Sequence, residues 1–260
     1  MKKIGIIALA MLVLASGMLF SQAQKETEKT YVFAANCAWP PLEFVDENGD
    51  IVGFEIDLVH EIAKVNNVKI TIRNVAWEGI FAGLANGAYD AVASGVSVTE
   101  ERKATMDFST PIMIITQSIL TPISNRTITN TASLNNKKVG VQLGTTGHIF
   151  LEDFSKNSSS FSVNIRAYDE VGFAIEDMLN GNLDAVVTDS VIASDYVLSN
   201  PNYASKLKVA GSASDLGDPE PIAIATLKGN KEVLDLVNNG LREIQASGKM
   251  DELKKKWNIL

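Results

Sequence analysis

Cys37 is the only cysteine in this 260-residue chain. One cysteine closes no intrachain disulfide and builds no cysteine metal cluster, so the fold must be held by its core alone. As a nucleophile Cys37 would need an activating partner, and none stands near it in the sequence; a small buried or cleft-lining side chain is the expected role. Histidine is nearly as scarce. The two present, His60 and His148, fall in different halves of the chain. No metal-ligand spacing, nucleophile elbow or carboxylate pair stands out, and Glu43 is the one acid worth testing for chemistry. Basic residues are outnumbered, 23 against 31 acidic, for a net charge of -8. Such a surface repels phosphate backbones and argues against a nucleic-acid partner. Beyond Phe20 no segment is long and apolar enough to span a bilayer.

What is present is ordinary globular composition, 46% hydrophobic and 21% charged. The length suits one large or two modest domains. The first residues stand apart. Met1-Lys2-Lys3 is basic, residues 4–20 are almost wholly apolar, and Ser21-Gln22-Ala23 places small residues where a signal peptidase reads them. Residues 1–23 therefore read as a signal peptide cleaved near Ala23. The competing reading is a membrane anchor, for which the apolar run is short and interrupted by Gly5, Ser16 and Gly17. No Cys follows the run, so a lipid anchor is not expected. Residues 24–30 read as a polar, disordered leader.

From residue 31 the pattern alternates strand and helix. Residues 31–35 read as a strand, and residues 36–53 as a loop through Trp39-Pro40-Pro41 and the turn Asp46–Gly49. Phe54, Leu58, Ile62 and Val65 carry helical spacing. Residues 68–75 read as a strand, 77–85 as a helix ended by Asn86-Gly87, and 91–93 as a buried strand. The same order returns with a strand at 138–141, a turn at Gly144–Gly147 opening a helix over about 148–154, and a strand at 161–167. A helix over 170–179 then ends on Asn180-Gly181, before a strand at 185–187. This alternation predicts a mostly parallel sheet with helices on its faces. The segment Asn86-Gly87-Ala-Tyr-Asp90-Ala91-Val92 is echoed by Asn180-Gly181-Asn-Leu-Asp184-Ala185-Val186, which points to two similar α/β lobes. Residues 112–121 and 212–221 read as two hinge crossings, and 231–257 as a helical return to the first lobe. The expected division is 31–116 with 222–260 for one lobe and 117–221, with the crossings, for the other.

The repeat also locates a site. Ser94-Gly95 falls opposite Thr188-Asp189, each pair just past the carboxyl end of a buried strand, where open α/β sheets bind ligands. Two such edges facing one another make a cleft. Thr99 with Glu100 and Glu101 starts a helix whose amino end lies near Ser97. Arg102 in that first turn either meets a carboxylate as a bidentate fork or pairs on the surface with Glu101 or Asp107. Asp189 could receive an ammonium group or cap a helix over 190–198, and both roles could hold. An Arg on one side and an Asp on the other describe a zwitterion site.

The motifs Trp39-Pro40-Pro41-Leu-Glu-Phe44, Gly53-Phe54-Glu-Ile-Asp57-Leu, Asp90-Ala-Val-Ala-Ser94-Gly95-Val-Ser97-Val-Thr99-Glu-Glu-Arg102 and Asp107-Phe108-Ser109 form one series. Lys138-Val-Gly-Val-Gln142-Leu-Gly144-Thr-Thr-Gly147, Asp184-Ala-Val-Val-Thr-Asp189 and the ending Lys256-Trp257 continue it. The series resembles the polar amino-acid-binding proteins of ABC importers, solute-binding protein family 3, from about Tyr31 to Trp257. The resemblance implies a type II periplasmic-binding fold, a free amino acid as ligand, a membrane permease as partner, a monomer in the periplasm, and no cofactor. It implies that Arg102 holds the ligand carboxylate with the N–H groups of Ser97 and Thr146. The ammonium is met by Asp189, the Ser97 hydroxyl and a carbonyl at Ser94 or Gly95, and Trp39 and Trp77 flank the side chain. Asn36 stands where cation-binding members often carry Asp, and Gln142 precedes the Leu-Gly-Thr turn. Together they point to a neutral polar side chain, glutamine first. The competing readings are a dehydratase-like enzyme on the same fold, a cationic amino acid as ligand, and a receptor sensor domain, which would need a signalling segment after Leu260.

Overall fold

The computed structural model describes residues 29–211 and 217–259. The expected signal peptide and residues 24–28 of the leader lie outside the described residues. Among the described residues no helix is long and apolar enough to cross a membrane.

The first lobe opens with β1 (Thr30–Ala35), which takes in the last residue of the expected leader because Thr30 pairs with Lys69. A three-stranded hairpin sheet of β2 (Ala38–Trp39), β3 (Glu43–Val45) and β4 (Ile51–Val52) follows. Helix α1 (Phe54–Asn66) buries Phe54, Leu58 and Ile62 on one stripe, each worth about 1.5–3 kcal/mol on burial. Asn67, at φ 51°, ends it in the left-handed conformation. Then come β5 (Lys69–Asn74), α2 (Ile80–Ala85), β6 (Ala91–Val92), α3 (Glu100–Thr105) and β7 (Met106–Phe108). Helix α2 begins at Ile80 rather than Trp77, since Gly79 holds φ 88° at its cap and breaks the helical path.

The chain crosses through β8 (Met113–Ile115) into the second lobe. There it forms β9 (Gln117–Pro122), β10 (Lys138–Gln142), α4 (Thr146–Asn157), β11 (Asn164–Tyr168), α5 (Val171–Leu179), β12 (Ala185–Asp189), α6 (Ser190–Ser194) and β13 (Leu207–Ala210). Helix α4 starts two residues before the expected His148, because the Thr145 hydroxyl accepts the His148 N–H and sets the cap there. The helix expected over 190–198 stays α-helical only to Ser194 and continues as a π-turn, Asp195–Ser199. The chain returns through β14 (Glu220–Ile222) to β15 (Ala225–Leu227), α7 (Lys231–Ala246) and α8 (Lys249–Lys256). A single return helix was expected; Gly248 at φ 78° splits it in two.

The two main sheets have the same topology. Their orders are β5-β1-β6-β15-β7 and β11-β10-β12-β9-β13. In each, the first three strands are parallel and the fourth runs antiparallel between its neighbours. That fourth strand, β15 or β9, is the one delivered by a crossing. Each lobe's sheet is thus completed by chain arriving from the other lobe. The crossings themselves pair, β8 antiparallel to β14, with Ile115 opposite Glu220.

The sequence echo has a physical content. Helices α2 and α5 end in identical Schellman motifs: Gly87 and Gly181 (φ 71° and 84°) donate to the carbonyls of Leu84 and Met178. One residue on, Ala88 and Asn182 donate to Gly83 and Asp177. Asp90 then clasps β1: its N–H donates to the Val32 carbonyl, and its carboxylate accepts the Val32 N–H at 2.7 Å. Asp184 clasps β10 in the same way through Lys138, with its carboxylate bond at 2.8 Å. These clasps set the register of β6 and β12, and hence where their carboxyl ends emerge.

Gly53 precedes α1 at φ 140°, and a Cβ there would stand 2.1 Å from the Leu42 carbonyl oxygen. Gly53→Ala is therefore expected to cost about 2 kcal/mol or more, from left-handed strain and overpacking together. Urea unfolding of parent and variant measures it; an unchanged midpoint would contradict this packing.

Candidate functional site

Strand β6 delivers Ser94, Gly95 and Ser97, and strand β12 delivers Asp189, to opposite walls of one cleft. The lining is Asn36, Trp39, Glu43, Trp77, Ser94, Gly95, Ser97, Arg102, Gln142, Thr145, Thr146 and Asp189. The space is about 310 Å³, open mouth included. All ten site residues expected from the sequence meet here, joined by Glu43 and Thr145.

Arg102 takes neither a surface pairing with Glu101 nor one with Asp107. Asp107 is bound by Lys228 at 2.8 Å, and no carboxylate lies within 4.0 Å of Arg102 among the described residues. Its guanidinium donates instead to two carbonyls, Ser97 at 2.9 Å and, across the cleft, Gly144 at 3.4 Å. The guanidinium carbon lies 4.9 Å from the Phe81 ring centroid and 5.8 Å from that of Trp77. These contacts fix its plane and leave further N–H groups without an anion. Burial pulls its affinity for the proton down, opposed by the fields of Asp189, Glu220 and Glu101. The Thr99 hydroxyl caps α3 by accepting the Arg102 N–H, as the Thr-Glu-Glu start predicts.

Asp189 is 5% exposed and heads α6, but its side chain makes no cap hydrogen bond. It accepts from Gln117 Nε2 at 2.8 Å instead. Burial pushes its carboxyl up to about 7, eased by the Gln117 bond and opposed by Arg102. Gln117 also donates toward the Thr146 hydroxyl and toward Glu220 on β14, both at 3.1 Å. It ties the second lobe's wall to the returning crossing. Sequence reading missed Gln117 and Glu220. The only signal was a polar residue inside the extended, largely apolar segment 112–121.

On the far side of the cleft, Gln142 Nε2 donates to Asn36 Oδ1 at 3.2 Å, a direct bond between lobes. Asn36 Nδ2 is turned back to the Val75 carbonyl. Gln142 Oε1 is buried and has no partner. Trp39 is buried with its ring 3.3 Å from where a Cβ on Gly95 would stand, so Gly95 (φ 55°) is a close approach of backbone to ring. Trp77 is partly buried, edge-on to Phe81 at 5.1 Å. Glu43, fully buried, accepts from the Ser94 hydroxyl at 2.9 Å. Cys37 is buried and its thiol is pushed up to about 12 by burial and by Glu43, which makes it unreactive. Among the described residues no group of three or more His, Cys, Asp or Glu side chains is placed to hold a metal ion.

A two-lobed α/β protein with a small polar cleft at facing strand ends, one wall cationic and the other acidic, is a solute-binding protein in form. The chain belongs to the bacterial extracellular solute-binding proteins, family 3, whose pattern it matches over residues 31–259. A probable histidine-binding protein of Neisseria gonorrhoeae is 32% identical over 88% of this chain and 83% of its own length. An ancestral arginine-binding protein solved with arginine is 37% identical, with a TM-score of 0.80 over 88% of this chain and 97% of its own. An ancestral arginine-binding protein solved with glutamine is 36% identical, also at 0.80, over 89% and 98%.

Asp189 bears on stability with a definite sign. Its folded carboxyl titrates near 7 against 3.8 unfolded, so between those values the folded state holds the extra proton and the ionised form weakens the fold as pH rises. Asp189→Asn removes that term. In ligand-free protein, the variant's unfolding free energy relative to the parent should rise from pH 4 to pH 8. Denaturant titrations across that range check it, and a flat difference would mean the carboxylate is compensated.

Proposed function

We propose that this chain captures a free amino acid between its lobes, outside the inner membrane, and hands it to the permease of an ABC importer. In this reading residues 1–23 are a signal peptide, the protein is periplasmic and monomeric, and the crossings β8 and β14 are the hinge about which the lobes close. The observation that carries it is the unpaired charge of Arg102, facing Asp189 with no carboxylate in reach. A zwitterion supplies both missing partners at once: its carboxylate to Arg102 and the N–H groups of Ser97 and Thr146, its ammonium to Asp189 and the Ser97 hydroxyl. The carbonyl of Ser94 or Gly95 completes the ammonium site, and Trp39 and Trp77 enclose the side chain.

The side-chain end is polar. Gln142 Oε1 and Glu43 Oε2 are both buried and unpartnered. Two waiting acceptors favour a ligand that carries side-chain N–H donors. Glutamine is the first reading, since the Asn36–Gln142 amide pair matches an amide. Arginine is the second, favoured by the buried carboxylate of Glu43. Neither reading involves turnover; the ligand leaves chemically unchanged, in contrast to a dehydratase, and mass spectrometry of the recovered ligand distinguishes the two.

A thermal-shift screen of the common amino acids tests the function. A ligand at 100 times its Kd stabilises the fold by about 2.7 kcal/mol. No shift with any of them would sink the reading. Arg102→Ala should weaken every amino-acid ligand about 100-fold or more, because it leaves a buried carboxylate unpaired; near-parental affinity by calorimetry would refute the carboxylate assignment.

A further inference from the structure

Two fully buried carboxylates, one of them at the cleft wall, grip the dipeptide Ser94-Gly95. Glu43, on β3, accepts from the Ser94 hydroxyl at 2.9 Å; Glu55, in the first turn of α1, accepts the Gly95 N–H at 2.8 Å. Each leaves its other oxygen, Oε2, buried and without a partner. Among the described residues no Lys, Arg or His nitrogen lies within 4.0 Å of either carboxylate. Two adjacent unpaired anions in a dry interior are costly, and such a pair relieves the cost by keeping a proton or by acquiring a cation. Glu43 lines the cavity, so a cation could come from the ligand. The unpartnered Gln142 Oε1, also lining the cavity, is an independent acceptor for the same donor-bearing group.

We propose that Glu43 and Glu55 form one charge-selecting unit: it holds a proton while the cleft is empty or contains a neutral side chain, and releases that proton to solvent when a cationic side chain docks on Glu43. Glu43 touches the ligand; Glu55 acts through it as a positioning residue. This rests on the amino-acid-binding reading above and adds what selects the charge of the side chain.

The surroundings leave the pair as the titrating unit. Burial first, then the neighbouring Glu55, holds the Glu43 carboxyl well above its ordinary range, with the Ser94 bond lowering it and Asp189 raising it. Burial lifts Glu55 to about 7, against the pull of the Gly95 N–H. Behind Glu43 stands Cys37, a neutral thiol. Across the cavity Arg102 is engaged with the Ser97 and Gly144 carbonyls. On α1 the next acid, Asp57, is bound by Lys256 and by the Trp257 indole, and His60 is exposed. Two interacting carboxyls titrate as a pair, so the proton belongs to both.

Calorimetric titration of the parent protein with arginine and with glutamine, each in two buffers of different ionisation enthalpy, counts the protons released. Near pH 6.5 arginine should release about one proton more than glutamine does, and its affinity relative to glutamine should rise about tenfold per pH unit between pH 5.5 and 7. Glutamine shares with arginine whatever proton the ammonium displaces from Asp189, whose carboxyl is also lifted to about 7, and should release none from the pair. Glu55→Gln, which keeps Glu43 in place without its like-charged neighbour, should cut the proton release on arginine binding and flatten the slope. Equal proton release for the two ligands overturns the proposal, as does arginine binding with no proton released or glutamine binding with arginine excluded at every pH. If neither amino acid binds, the functional reading beneath it falls, and the proposal with it. The parent titration decides the matter even if the variant is too unstable to purify.

Discussion

Arg102 and Asp189 face one another across a cleft, and neither has an ionic partner among the described residues. A guanidinium held by two carbonyls and two aromatic rings, opposite a buried carboxyl lifted to about 7, is a separated charge pair that only a ligand completes. The cost of separation is carried by the fold. The Asp90 and Asp184 clasps fix where β6 and β12 end, and those ends hold the two walls. Unsatisfied charge of this kind gives affinity because its desolvation has already been met during folding, before the ligand arrives.

The same residues connect recognition to motion. Gln117 opens β9, the strand that completes the second lobe's sheet, and reaches Asp189, Thr146 and Glu220 together. Glu220 lies on the returning crossing, paired with Ile115. In the proposed function, the ammonium site and the hinge thus share one amide. The Gln142–Asn36 bond spans the lobes at the other end of the cleft. Contacts at both ends of the cleft thus depend on how the lobes are set relative to one another, and under the proposed function this geometry couples ligand binding to lobe closure.

Side-chain recognition follows a different logic from the grip on the zwitterion. There the groups are neutral amides backed by a buried acid pair, and among the described residues no cation lies within 4.0 Å of the acids. Among the relatives, arginine- and glutamine-bound structures share this fold at similar identity. Small changes in the number of acceptors and in the proton count at one end of a cleft are enough to change which side chain is satisfied, while the zwitterion end stays the same.

The alternation of strands and helices, the Asn-Gly helix ends and the Ser-Gly-x-Ser-x-Thr-x-x-Arg run were legible in the sequence because each is local: periodicity, left-handed caps and a helix start are properties of a few neighbouring residues. The repeat carried further, placing Ser94-Gly95 and Asp189 at equivalent strand ends. Helix starts at Trp77 and His148 were misplaced by two or three residues, because a glycine at φ 88° and a threonine cap decided them. The role of Asp189 stayed open between cap and ligand group, since both need an Asp at a helix start; only the bond to Gln117, from a strand seventy-odd residues away, removed the cap. Glu55 and Glu43 looked unpaired along the chain because their partnership runs through Ser94 and Gly95, which fold in between them. Local pattern determined the lobes and most of the candidate site; the buried charges left without partners exist only once distant segments are packed together and water is gone.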